Sequence, residues 1–266
     1  MKFIVARALP AIAAVAFVAP LLAADGVLIV ERTTSGGTSE VSQMQIERNR
    51  MRAEITGATG GKQTVIFDGV KQTIDILDTN RKTYNELTKA DVDRLGGQMQ
   101  DAMAMVQAQL ASLPPDQRAQ IEAMMRGRGV SMNAGAPAAK TTYRKTGTDK
   151  VGTWTCDVYE GTQNGQKTSQ VCTVDPAALG LTASDFDAAQ QLATFFAKIL
   201  PQSADRLFSI GRAEDQGFSG VPVRRTYYDN GRETTAEITE ISRQTFPDSV
   251  FAVPAGFTKV DMGRGR

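Results

Sequence analysis

The chain has no histidine, two cysteines and one tryptophan among its 266 residues. The missing imidazole closes a large group of mechanisms. Ser-His-Asp and Cys-His nucleophile activation, the His-Glu-x-x-His zinc site and imidazole general-base catalysis all require it. Carboxylate acid–base chemistry, lysine chemistry or no chemistry remain. Charge of one sign is also missing: 30 Lys and Arg stand against 29 Asp and Glu. With no polybasic block, the chain has nothing to recruit nucleic acid or anionic lipid by bulk electrostatics. Long apolar runs are absent after the first two dozen residues.

Those first residues carry the layout of a secretory signal peptide. Met1-Lys2 and Arg7 give a basic start, residues 8–22 are apolar, and the small Ala23-Ala24 precede Asp25. A membrane-spanning helix needs about 20 apolar residues. This run is shorter, is broken by Pro10 and Pro20, and has no basic flank after Asp25. The expectation is a signal peptide over 1–24, cleaved near Ala23/Ala24, that exports the protein to the periplasm. No cysteine lies at the junction for lipid attachment, so the mature chain is expected not to be membrane-anchored.

Export gives the two cysteines a meaning. Cys156 and Cys172 flank CDVYEGTQNGQKTSQVC, two β-prone arms with Asn164-Gly165 at the tip. A two-residue loop would put Cys156 opposite Thr173 and the thiols on different faces. A three-residue loop over 163–165, with Gly165 left-handed, puts Cys156 opposite Cys172. The second register is preferred because it closes a cross-strand disulfide in an oxidising compartment. A redox pair would need Cys-x-x-Cys, and 15 residues intervene.

Period-two alternation predicts strands over 27–33, 39–48, 51–56, 64–68, 72–78 and 82–87, an antiparallel meander with glycine- and asparagine-rich corners. Gly60-Gly61 before Lys62 lacks the rest of a phosphate-loop spacing and reads as a turn. At Thr88 the period changes. Thr88 and Asp91 form a capping-box pattern, predicting a helix to about residue 112 with Leu95, Met99, Met103, Val106 and Leu110 on one stripe. Pro114-Pro115 restarts the chain into a shorter helix over 116–126 with Ile121, Met124 and Met125. Residues 127–140, rich in Gly, Ala and Pro, read as a flexible loop. Strands resume over 141–145, in the 154–174 hairpin, and over 208–213, 222–228 and 234–241, the last two joined by a tight turn at Asp229-Asn230-Gly231. Between them, Thr182 and Asp185 cap a third helical region carrying Phe186, Leu192, Phe195, Phe196, Ile199 and Leu200.

Six of the ten methionines fall between Met99 and Met132, and three readings stand. They fill an irregular core, they form an adaptable apolar surface for a hydrophobic ligand, or Met103, Met105, Met124 and Met125 ligate Cu(I). Carboxylate pairs such as Asp91/Asp93 and Glu237/Glu240 read as solvated faces in a chain with so many acids.

The strings TVIFDGVKQTIDILDTNRKTYNELTK, PPDQRAQIEAMMRG, YRKTG and VGTWTCDVYEG resemble an uncharacterised family of bacterial periplasmic proteins over residues 27–259. Cys172 departs from that family's pattern, which often has a large residue such as Trp there. The closing FPDSVFAVPAGFTKV is similar to the C-terminal strand of lipoprotein-carrier folds of the LolA/LolB type. That resemblance implies an α+β fold: one half-barrel domain over 25–266, a curved antiparallel meander with helices on its concave face and a helical insertion over 88–127. It implies accommodation of acyl chains and brings no catalytic residues.

The leading expectation is a soluble periplasmic binding or carrier protein for a hydrophobic or lipidic ligand, with Met99, Met103, Met124, Met125, Phe195 and Phe196 lining the pocket. It is not an enzyme and uses no cofactor or metal. The alternatives are an envelope interaction protein with a protein partner, a carboxylate glycosidase and a Cu(I) binder.

Overall fold

The structure is a computed structural model, and it describes residues 25–56, 61–114, 116–117, 120, 141–196, 217–229 and 231–261. Among these residues, twelve strands form one sheet in the order β12-β6-β5-β4-β3-β2-β1-β11-β10-β9-β8-β7. The first meander is β1 (Gly26–Ser35), β2 (Thr38–Glu47), β3 (Arg50–Thr56), β4 (Lys62–Asp68), β5 (Thr73–Asp78) and β6 (Thr83–Thr88). Helix α1 (Lys89–Ala111) follows, then β7 (Thr142–Val151), β8 (Trp154–Gln163) and β9 (Gln166–Val174). Two 3-10 turns, Pro176–Leu179 and Ala183–Phe186, lead into α2 (Asp187–Phe196). Strands β10 (Val221–Asp229) and β11 (Arg232–Gln244) then bring the chain back beside β1. The short β12 (Thr258–Lys259) adds to β6 in parallel, whereas the other strand pairs are antiparallel. The strand order does not close: β7 and β12 end the sheet. This is the expected large curved antiparallel sheet with helices, an incomplete barrel.

Alternation sorts the side chains of β1–β6 onto two faces. On one face Val27, Ile29, Ile46, Met51, Phe67, Ile74 and Leu87 pack with Val92 of α1 and with Phe186, Ala188, Leu192 and Phe195 around α2. On the other, Ile66 and Leu77 meet Phe246 and Phe251, with Val250, Val253 and Phe257 alongside. Residues 246–257 therefore run as a strap across the face away from the helices. Arg50 fastens the strap by pairing with Asp248 and lying 4.7 Å from the Phe251 ring centre, and Arg52 donates to the Val250 carbonyl.

Cys156 and Cys172 are joined, and both are buried. The register differs from the expected one. The loop is the two-residue Asn164-Gly165, both residues left-handed (φ 53° and 78°), a conformation that a twisted hairpin favours and Gly165 adopts without strain. That loop alone would set the thiols on opposite faces. An irregularity between Gly161 and Thr162 shifts the pairing, so Val158, not Cys156, lies opposite Cys172. The bridge is thus diagonal, with Cα atoms 5.4 Å apart.

Strand β7 also runs further than the predicted 141–145. Its residues are almost all exposed up to Val151. An edge strand with little buried surface carries no apolar alternation to read. The 208–213 strand, most of the 116–126 helix, the 127–140 loop and the 1–24 segment lie outside the described residues.

Candidate functional site

Two helix starts frame the site, and both are written in the sequence. At α1, the Thr88 hydroxyl accepts from the Asp91 amide while the Asp91 carboxylate accepts from the Thr88 amide and hydroxyl. These bonds, the Thr88 hydroxyl first and then Arg94, hold the Asp91 carboxyl down at about 2. The Lys89 amide donates to the Gln72 carbonyl (3.1 Å), tying α1 to the turn between β4 and β5. Ahead of α2, Asp185 accepts from the Thr182 amide and hydroxyl (2.6 and 2.8 Å). It also accepts from both Arg243 terminal nitrogens (2.8 and 2.6 Å), and Arg243 donates to the Gly180 carbonyl as well. Burial alone would raise the Asp185 carboxyl, but Arg243 and Thr182 outweigh it and hold it below the ordinary value.

A cavity of about 430 Å³ opens between α1, α2 and the β4–β5 turn, within the range of small-molecule sites. Val92 and Phe195 supply its apolar floor, both nearly fully buried, and Phe195 meets Phe67 edge-on at 6.1 Å. The rim is polar: Gln72, Gln190, Gln191 and Thr194, the Lys89–Asp93 ion pair (2.6 Å) and Asp187. Gln191 donates to Asn49 (3.0 Å), whose carbonyl accepts from the Gly69 amide (2.7 Å). Position 69 has to be glycine here: a Cβ would lie 2.1 Å from the Gln191 carboxamide oxygen and 2.9 Å from the Asn49 carbonyl.

A second cavity of about 420 Å³ shares Asp187 with the first and is lined by Asp25, Arg48, Asn49, Thr182, Ser184, Asp185, Asp187 and Arg243. It has no large apolar lining residue. Among the described residues, no group of three His, Cys, Asp or Glu is placed to hold a metal.

Of the expected lining residues, Phe195 is in the first cavity. Met99 is not among the residues lining either cavity and is 42% exposed. Among the described residues of α1, Val92 and Gly96 are buried and the stripe residues Leu95, Val106 and Leu110 are half-buried, so the helix buries its first turns most deeply and Met99 is an exposed member of the stripe. Met105 is 65% exposed. The side chains of Met103 and Phe196, and Met124 and Met125 altogether, lie outside the described residues. Sequence reasoning missed Val92 and the glutamine rim. Val92 falls one turn after the Thr88 cap, a signal that was available; the glutamines carried none.

A family model with the description "Domain of unknown function (DUF4412)" matches residues 88–257. Among solved structures, the chain is similar to an uncharacterized conserved protein from Thermus thermophilus. That pair is 6% identical with a TM-score of 0.43, over 90% of this chain and 91% of that one. It is similar also to MucB in complex with MucA(peri), at 11% identity and a TM-score of 0.34, over 85% of this chain and 54% of that one. A DUF1329 family protein from Desulfovibrio piger shares 10% identity at a TM-score of 0.23, over 86% of this chain and 90% of that one. No curated protein matches the sequence.

Proposed function

This chain belongs to the DUF4412 family of domains of unknown function, and from that premise we propose that it is a periplasmic binding or carrier protein for a hydrophobic ligand. The first cavity carries the reading: about 430 Å³ with Val92 and Phe195 at its floor, framed by two capped helix starts. Burial of apolar ligand surface drives binding there and needs little directional recognition. The polar rim fixes how far a chain enters. We take residues 1–24 to export the protein to the periplasm, and the Cys156–Cys172 bridge suits that compartment. Among the described residues no helix is long and apolar enough to cross a membrane.

We take the role to be non-enzymatic. Asp75 and Glu86 face each other across β5 and β6 on the strap side of the sheet and line neither cavity, and of the carboxylates that do, Asp25, Asp93 and Asp185 are each paired with a cation. A second reading has its own observation. The exposed Met99 and Met105 on α1 offer an adaptable surface for an envelope protein.

Native mass spectrometry of protein purified from periplasm, together with titration of the uncharged fluorophore N-phenylnaphthylamine, tests the carrier reading. We expect a co-purifying apolar molecule and saturable fluorescence. Thr194→Trp, at an exposed rim position, should fill the mouth of the cavity and abolish both while leaving the fold intact. Absence of both signals in the wild-type protein overturns the proposal.

A further inference from the structure

The two cavities meet at one residue. Asp187, in the first turn of α2, lines both, and the Gln191–Asn49 hydrogen bond spans from the lining of one to the lining of the other. One is floored by apolar side chains and the other is lined by polar and charged residues. Side by side, they match a molecule with an apolar chain and a polar end.

The charges lining them restrict that end. Among the described lining residues the cations are Arg48, Lys89 and Arg243, and each already pairs with an aspartate: Asp25 (3.3 Å), Asp93 (2.6 Å) and Asp185 (2.6 Å). Arg243 directs further donors at the Gly180 carbonyl. Asp187 is the fourth carboxylate against three cations, and it stands at the junction. The positive end of the α2 dipole would favour an anion, but Asp185 and Asp187 already occupy that end. An anionic head group would have to displace an aspartate from its cation, or lie beside the exposed Asp187, whose charge repels it.

The geometry points to an amphipathic ligand whose polar end carries no negative charge. Its chain lies on Val92 and Phe195, and its head, an amine or a hydroxylated group, crosses Asp187 into the polar cavity. This rests on the carrier reading and adds the ligand class. A free fatty acid or an anionic phospholipid is a poor ligand on this account, and an alkyl amine or a glycosylated chain a good one.

Calorimetric titration with three probes of equal chain length, each below its micelle concentration, tests it: decylamine, decyl maltoside and decanoate. Decylamine should bind tightest and decanoate weakest, with about tenfold or more between them, or about 1.4 kcal/mol. Asp187→Asn should erase the advantage of decylamine over decyl maltoside, while Asp187→Glu should keep it. Thermal melting of both variants checks that they are folded. Decanoate binding as tightly as decylamine, or Asp187→Asn weakening all three probes alike, overturns the charge rule and leaves the carrier reading standing. Failure of all three probes to bind overturns the carrier reading, and this inference with it.

Discussion

Asp75 is a carboxylate held where its charge is unfavourable. It lies on the strap face of β5, next to Ile66 on β4 and directly opposite Glu86 on β6. Its Oδ1 is buried and has no hydrogen-bond partner among the described residues. Burial first, then Glu86, push its carboxyl from the ordinary 3.8 to about 6; Lys259 on β12, which pairs with Glu86, and Lys71 pull the other way, and Asp68 adds a smaller push up. A rise of that size corresponds to at most about 3 kcal/mol, and partial exposure of the side chain reduces the working figure to about 1–2 kcal/mol. The direction follows from proton linkage. The folded pKa lies above the unfolded one, so folding favours the protonated form; that contribution is complete below about pH 4 and is lost as pH rises through about 6. Asp75→Asn keeps the shape and removes the charge. In urea unfolding it should match the wild-type protein near pH 4 and exceed it by about 1–2 kcal/mol at pH 8. In thermal melts the gain should be about 2–4 °C per kcal/mol. Equal stability at pH 8, or an unchanged slope of stability between pH 4 and 7, would refute the reasoning.

Replacing Cys156 and Cys172 by Ser should lower stability by about 3 kcal/mol, the chain-entropy figure for a loop of this length, and reductant should do the same to the wild-type protein in denaturant titrations. Thr88→Ala removes the side chain that caps α1 and should cost about 1 kcal/mol, read as lost helical circular dichroism on mild heating. Gly69→Ala drives a methyl into Gln191 and the Asn49 carbonyl; probe affinity should fall with a smaller drop in melting temperature, and an unchanged affinity would remove the turn from the site.

What the sequence displayed and what it hid divide along a physical line. Alternation exposed β1–β6 because the face toward the helices carries the main core, and the register of such strands is strongly specified. The capping boxes at Thr88 and Thr182 were legible because a cap is a local exchange between a side chain and the backbone three residues on. The bulge that turns the Cys156–Cys172 bridge diagonal was not: one extra residue in the arm leaves composition and alternation almost unchanged, and only the fixed two-residue turn shows that it must be there. The methionine stripe misled for a related reason. Helical spacing says which residues share a side, but not how deeply each is buried, and among the described residues of α1 only Val92 and Gly96 are fully buried. The rim of the cavity was hidden most completely. Gln72, Gln190 and Gln191 are ordinary surface residues by type; what places them together is the approach of the β4–β5 turn to α2, permitted by a glycine at position 69. In the sequence Gly69 stands between the strands over 64–68 and 72–78 and reads only as a corner. Its second property, the room it leaves for Gln191, belongs to two segments far apart in the chain, which come together only when the sheet has folded beneath them.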